Sequence, residues 1–170
     1  MRTLLLAVAC SAVCAAPAFS QTGPAAGGDQ KFVEFAAQTD MTEAHLGQLA
    51  ADQAAGANVK DYASMLVTDH TSDYKQLGTI AGKAGLNVPK GLDAAHDKMI
   101  APFEKLKGRA FDMRYEREMV AGHQQAIARY KQEAANGQNA DLKAYANQVL
   151  PTLQKHLDSA KDLAKAKSAK

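Results

Sequence analysis

The sequence predicts an all-α protein in which four long helices form two related helical hairpins. Apolar residues recur at alternating steps of three and four along most of the chain, which is the spacing of one face of an α-helix. No stretch alternates with period two over the length of a strand. The segments QAAGANVKDYA (53–63) and QEAANGQNADLKAYA (132–146) resemble each other, which indicates an internal repeat of a helix end, a turn and a new helix.

Residues 1–20 are predicted to be a secretory signal peptide. Arg2 is followed by a short apolar run and then by small residues, so that cleavage is expected near Ser20. Residues 21–30 are small and rich in glycine, and are expected to form a flexible linker in which Asp29 caps the first helix. The bundle domain is expected to occupy residues 31–167, and the protein is expected to be exported to a periplasm.

Composition excludes several classes of function. Both cysteines, Cys10 and Cys14, lie in the predicted signal peptide, so the mature domain has no disulfide and no thiolate metal site. The chain has 20 basic and 18 acidic residues, and this near neutrality argues against a nucleic-acid partner. No later segment reaches the roughly 18 to 20 apolar residues of a transmembrane helix. No nucleophile motif or phosphate loop is present, and no catalytic residue is assigned.

The spacing predicts long helices over 31–55, 58–84, 109–136 and 140–166. The segment 92–108 is expected to form a short helix interrupted by Pro102. The turn inside each hairpin is short, so its two helices should be antiparallel. The crossover between the hairpins is long enough to return along the bundle, since about 15 helical residues span roughly 22 Å. This is the connectivity of a ferritin-like four-helix bundle.

Five titratable residues occupy the inward stripes of these helices near the middle of the bundle. They are Glu43, His70, Asp73, His123 and His156. The repeat supports their convergence, because an offset of 80 before the turn matches Glu43 with His123, and an offset of 83 after it matches Asp73 with His156. In contrast, His45 is expected at the surface and His96 lies in the crossover.

Imidazole nitrogens and carboxylate oxygens are ligands for first-row metals, and a bundle core is a common place to hold them. The sequence therefore predicts a single transition-metal ion, either iron, zinc, manganese or copper, bound by these five residues. Four residues are candidates for the outer partners that orient the ligands: Asp69, Glu116, Tyr130 and Tyr145. The alternative is a structural or stress-related envelope protein in which the same layer is a hydrogen-bonded network without metal.

The sequence resembles the bacterial family known as domain of unknown function 4142, whose members are often described as outer-membrane proteins. The matching segments are FVEFAAQTDMTEAHLGQLA (32–50), VKDYASMLVTDHTSDYKQL (59–77), LDAAHDKM (92–99), GRAFDMRYEREMVAGHQQAI (108–127) and LKAYANQVLPTLQKHLDSA (142–160). The resemblance implies an exported, ferritin-like bundle with no assigned activity. Ferritin-like di-iron proteins use two Glu-x-x-His pairs and two further Glu residues, whereas this chain has His70-x-x-Asp73 and a lone His123, which favours one ion over two.

Overall fold

The computed structural model describes residues 24–168, and all regular structure in this range is helical. The five helices are α1 (Pro24–Gln53), α2 (Ala57–Lys83), α3 (Ala94–Glu104), α4 (Gly108–Asn136) and α5 (Ala140–Ser168). Their order matches the four long helices and the short crossover helix that the sequence predicts. Within the described residues, no helix is both long and apolar enough to cross a membrane. The predicted signal peptide lies outside this range.

The first helix begins at Pro24 rather than at Lys31, so most of the predicted flexible linker is helical. Proline is favoured in the first turn of a helix, where its missing N–H has no partner to lose. Asp29 is not the N-cap of this helix. It is buried, and its two carboxylate oxygens accept hydrogen bonds from the backbone N–H groups of Gln138 and Asn139 at 2.9 and 2.8 Å.

Asp112, near the start of α4, makes the same contact with the other turn. Its carboxylate oxygens accept hydrogen bonds from the backbone of Ala55 and Gly56 at 3.0 and 3.1 Å. Asp29 and Asp112 lie 83 positions apart, and so do the two turns that they bind. Each contact joins the start of one helix to the end of another, so α1 and α4 run antiparallel.

The crossover between α2 and α4 is fixed to the bundle by side chains. Gln38 of α1 donates to the carbonyl of Gly91 and accepts from the backbone of Asp93. Asp93 in turn caps α3, since its carboxylate accepts from two backbone N–H groups of the first turn. The predicted interruption at Pro102 is wrong, because α3 continues through it to Glu104. This proline falls in the last turn, where few backbone bonds remain to be lost.

The core consists of two apolar clusters on either side of a polar layer. One cluster includes Phe32, Tyr130 and Tyr145, and the other includes Leu66, Phe111 and Tyr115. Every long helix contributes apolar residues to both clusters and places polar residues between them. The main helix contacts are α1 with α2 and α4 with α5, and α3 lies against α1 and α4. The polar layer is therefore enclosed near the middle of the molecule.

Candidate metal centre

Three histidines from three helices meet in the polar layer. His70 (α2) is 1% exposed, and His123 (α4) and His156 (α5) are 0% exposed. Their ring centroids are 5.3 to 5.8 Å apart, and one nitrogen from each ring lies within 4.8 Å of the others. This separation suits three ligands of a single ion, because metal–imidazole bonds are about 2.0 to 2.1 Å long.

One nitrogen of each ring is held by a protein acceptor. His70 Nδ1 lies 2.8 Å from Asp40 Oδ1, and His156 Nε2 lies 2.8 Å from Asp69 Oδ2. His123 Nδ1 donates to the backbone carbonyl of Met119 at 2.8 Å. A carbonyl oxygen can only accept, so Nδ1 of His123 carries a proton and its Nε2 has a free lone pair when the ring is neutral. Such outer hydrogen bonds fix the tautomer and orientation of metal-binding histidines.

The other nitrogen of each ring has no hydrogen bond. His70 Nε2 is 3.0 Å and His123 Nε2 is 3.3 Å from the same oxygen, Oε2 of Glu43, but neither pair has the alignment of a hydrogen bond. His156 Nδ1 is also buried without a hydrogen-bond partner. Buried polar atoms are almost always hydrogen-bonded, so one carboxylate oxygen shared by two imidazole nitrogens and a third nitrogen without a partner indicate a role beyond packing.

The charges in the layer are unevenly distributed. Burial would lower the pKa of His70, but Glu43 and Asp40 outweigh it and raise this pKa well above its ordinary value. Burial opposes ionisation of Glu43, yet the neighbouring His70 and His123 lower its pKa. Burial lowers the pKa of His123, and lowers that of His156 to about 4. Without metal, His70 is therefore the cation of the layer, while the other two rings are neutral.

Asp73 lies on another side of His70. Its carboxylate falls within 4.8 Å of ligand atoms of Asp40 and His70, and burial raises its pKa. Asp40, which the sequence interpretation missed, is 2% exposed, and burial raises its pKa to about 6 although His70 opposes this. Asp40 precedes Glu43 by three residues on α1, and this spacing was the signal available in the sequence.

The equivalence of the two hairpins also needs correction. The offset of 80 between Glu43 and His123 is wrong, because Asp29 and Asp112 make matching contacts at an offset of 83. At this offset the position equivalent to His123 is Asp40. Ala54 therefore corresponds to Gly137 and not to Ala134, one helical turn earlier.

The remaining residues that the sequence analysis named lie at different distances from the layer. Asp69 contacts His156, as an outer partner of a ligand would. Tyr130 and Tyr145 instead pair through their hydroxyl groups at 3.4 Å, within the cluster next to the layer. Glu116 is buried on α4, two helical turns before His123. His45 is partly exposed on α1 and lies outside the layer.

Comparison with known proteins places the chain in a family. The family described as Domain of unknown function (DUF4142) matches residues 14–163. The chain belongs to this family. None of the curated proteins matches the sequence.

Solved structures resemble this DUF4142 chain in fold. CopM in its Cu(II)-bound form is 17% identical, with a TM-score of 0.68 over 81% of this chain and 96% of that one. A DUF305 fragment from Deinococcus radiodurans is 16% identical, with a TM-score of 0.72 over 85% of this chain and 99% of that one. CopM in its Cu(I)-bound form is 16% identical, with a TM-score of 0.67 over 81% of this chain and 96% of that one. At such low identity, these matches support the helical fold alone.

Proposed function

We propose that this DUF4142 protein is an exported, ferritin-like bundle of two related hairpins that binds one transition-metal ion in its polar layer. Each long helix supplies one ligand: Glu43, His70, His123 and His156. Asp40, Asp69 and the carbonyl of Met119 orient the three imidazoles. Asp73, which the sequence suggested as a fifth ligand, lies with Asp40 and His70 in a second group whose ligand atoms are within 4.8 Å of one another, and we propose it as a further ligand on that side of His70.

The arrangement of the imidazole nitrogens carries the proposal. In each ring, one nitrogen is engaged by a protein acceptor at 2.8 Å, and the other is buried without a hydrogen bond. One nitrogen from each ring lies within 4.8 Å of the others. A network built only for hydrogen bonding would not place the lone pair of His123 Nε2 3.3 Å from the Glu43 carboxylate, nor leave His156 Nδ1 without a partner, since each unpaired group costs about 1 to 3 kcal/mol. A cation among them would satisfy all of them at once.

The donor set narrows the choice of ion. Three imidazoles and one carboxylate suit zinc, copper or iron better than magnesium or calcium, which prefer oxygen ligands. The fold neighbour CopM has been described with Cu(II) and with Cu(I). Copper is therefore the first ion to test, followed by zinc, iron and manganese.

Metal titration of the purified protein tests the proposal. After treatment with a chelator, we expect the protein to take up one ion per chain, and we expect His123→Ala and His156→Ala to lose it. His45→Ala is the matched control, because it removes a histidine of α1 outside the layer. Bound metal should also raise the free energy of unfolding, by about 2.7 kcal/mol when the free metal is 100 times Kd.

Two results would contradict the proposal. One is that no first-row ion binds the chelator-treated protein with a stoichiometry near one. The other is that the His123→Ala and His156→Ala variants bind as well as the His45→Ala control, because the ion would then lie at another site.

A second candidate is a structural envelope protein whose polar layer is an ion-pair network. The position of His70 between Asp40 and Glu43 favours it, because one imidazolium contacts both carboxylates at 2.8 and 3.0 Å. Under this alternative, chelators leave the melting temperature unchanged. Replacing Glu43 and His123 together by leucine would then be tolerated, as for other buried ion pairs. The ion-pair network gives no partner to His156 Nδ1, so we rank it second.

A further inference from the structure

A cavity of about 250 Å³ lies next to the polar layer. It lies between α1 and α4 on the side covered by α3, and Glu43 forms part of its wall. The other lining residues that matter here are Thr39, His96, Met99, Met119 and Gly122. Glu43 is thus the proposed ligand that belongs to both the cavity and the group of unpaired atoms around the imidazoles.

Gly122 keeps the wall of this cavity open beside Glu43. A Cβ atom at this position would lie 3.4 Å from Glu43 Oε1, so any longer side chain would take up space next to the carboxylate. Any larger residue at this position in the middle of α4 would narrow the access to Glu43.

The covering helix is positioned independently of the layer. α3 is connected to α1 through the hydrogen bonds of Gln38 to the crossover and through the cap formed by Asp93. His96 and Met99 are placed on the cavity wall by this helix, and Met119 adds a second thioether from α4. Imidazole and thioether groups are weak to moderate ligands for soft first-row ions, and for Cu(I) in particular.

We propose that this cavity is the route by which the metal ion reaches the centre, and that Glu43 is the ligand that it meets first. The inference rests on the proposed function. The three imidazoles are buried, so an ion from solvent must pass between helices to reach them. Glu43 lines the cavity and also lies beside His70 and His123, so an ion entering here would reach its carboxylate oxygens before the imidazoles.

Blocking the cavity with a side chain tests the route. Gly122→Leu should slow the uptake of Cu(II) or Co(II) by the chelator-treated full chain by about tenfold or more, because the entrance is then filled. The stoichiometry should stay at one ion, since no ligand is changed. Gly78→Leu is the matched control, because Gly78 is also partly buried inside a long helix, in the second half of α2, but a Cβ there would meet nothing within 4 Å. Stopped-flow spectroscopy measures both rates.

A second variant covers the case in which Gly122→Leu does not fold. Met99→Trp narrows the cavity from α3, away from the four ligands, and should also slow uptake without loss of the ion. Uptake at the rate of the Gly78→Leu control in the folded blocked variant overturns the route but leaves the proposed function intact. Failure of the wild-type chain to bind any of these ions overturns both, so the two failures are distinguishable.

Discussion

The two helix pairs α1–α2 and α4–α5, called the first and second hairpin here, are alike at their ends and different in their middles. Asp29 and Asp112 hold the turn of the opposite hairpin by equivalent pairs of hydrogen bonds. Phe32 contacts Tyr145 at 6.4 Å between ring centroids, and at the offset of 83 its counterpart Tyr115 contacts Tyr62 at 6.3 Å. These shared features close the bundle at both ends.

In the polar layer, the same offset pairs unlike residues. Asp40 corresponds to His123, and Asp73 corresponds to His156. Glu43 and His70 correspond to the apolar Ala126 and Leu153, respectively. The first hairpin therefore supplies the carboxylates and one imidazole, and the second supplies the other two imidazoles. Residues that the hairpins share maintain the fold, while the residues in which they differ assemble the candidate site.

The largest expected effect comes from removing the two equivalent aromatic contacts, Phe32–Tyr145 and Tyr115–Tyr62. Phe32→Ala and Tyr115→Ala should each lower the free energy of unfolding by about 3 to 5 kcal/mol, because each leaves a cavity beside a buried tyrosine. Denaturant unfolding followed by circular dichroism measures the loss. Met113→Ala, at an exposed apolar residue of α4, is the control and should have little effect. A small cost for only one of the two aromatic variants would show that the hairpins pack differently.

A smaller effect is expected at the turns. Asp29→Ala and Asp112→Ala each remove the acceptor of two backbone N–H groups, and each should cost about 2 kcal/mol. Replacement by asparagine keeps one acceptor oxygen and should recover part of the loss. Hydrogen exchange should show faster opening of residues 55–56 in the Asp112 variant and of 138–139 in the Asp29 variant. Exchange that accelerates at the wrong turn would contradict the assignment of these contacts.

The fold was largely predictable because helix periodicity is a local property of the sequence. The four long stripes and the short turns were recovered, since each depends on residues within a few positions of one another. The start of α1 and the role of Asp29 were not, because they depend on contacts with a turn more than 100 residues away. A segment of small residues rich in glycine is predicted to be a linker, and only a tertiary contact of this kind shows that it is helical.

Part of the candidate site was also predictable from helix periodicity. Glu43, His70, His123 and His156 stand out as polar residues on apolar stripes, which is visible without a structure. Asp40 was not singled out, because a stripe shows which face of a helix is buried but not which atoms meet. The orientation of each imidazole depends on partners such as Asp69 and the carbonyl of Met119, which periodicity does not reveal.

The smallest expected effect concerns a difference between the two ends of the bundle. Next to the turn held by Asp29 lies Glu133, whereas the equivalent position in the first hairpin is Ala50. Glu133 is buried beside Asp29 and lines a cavity of about 230 Å³ at this end. Burial and the charge of Asp29 raise the pKa of Glu133 to about 7. The folded protein therefore holds a proton there that the unfolded chain releases at lower pH.

This difference makes stability depend on pH at one end only. Because the pKa of Glu133 is higher in the folded state than its ordinary value of 4.5, its contribution is fully present below about pH 4.5 and is lost as the pH rises to about 7. The loss should reach roughly 1 to 3 kcal/mol, since one pKa unit corresponds to about 1.4 kcal/mol. In Glu133→Gln, the free energy of unfolding, measured by chemical denaturation from pH 4 to 8, should decline less steeply with pH. Glu34→Gln, at an exposed position of α1, is the control. Burial also raises the pKa of Asp40, to about 6, so part of the pH dependence should remain in Glu133→Gln. If Glu133→Gln has the same pH dependence as the wild type, Glu133 ionises normally in the folded protein.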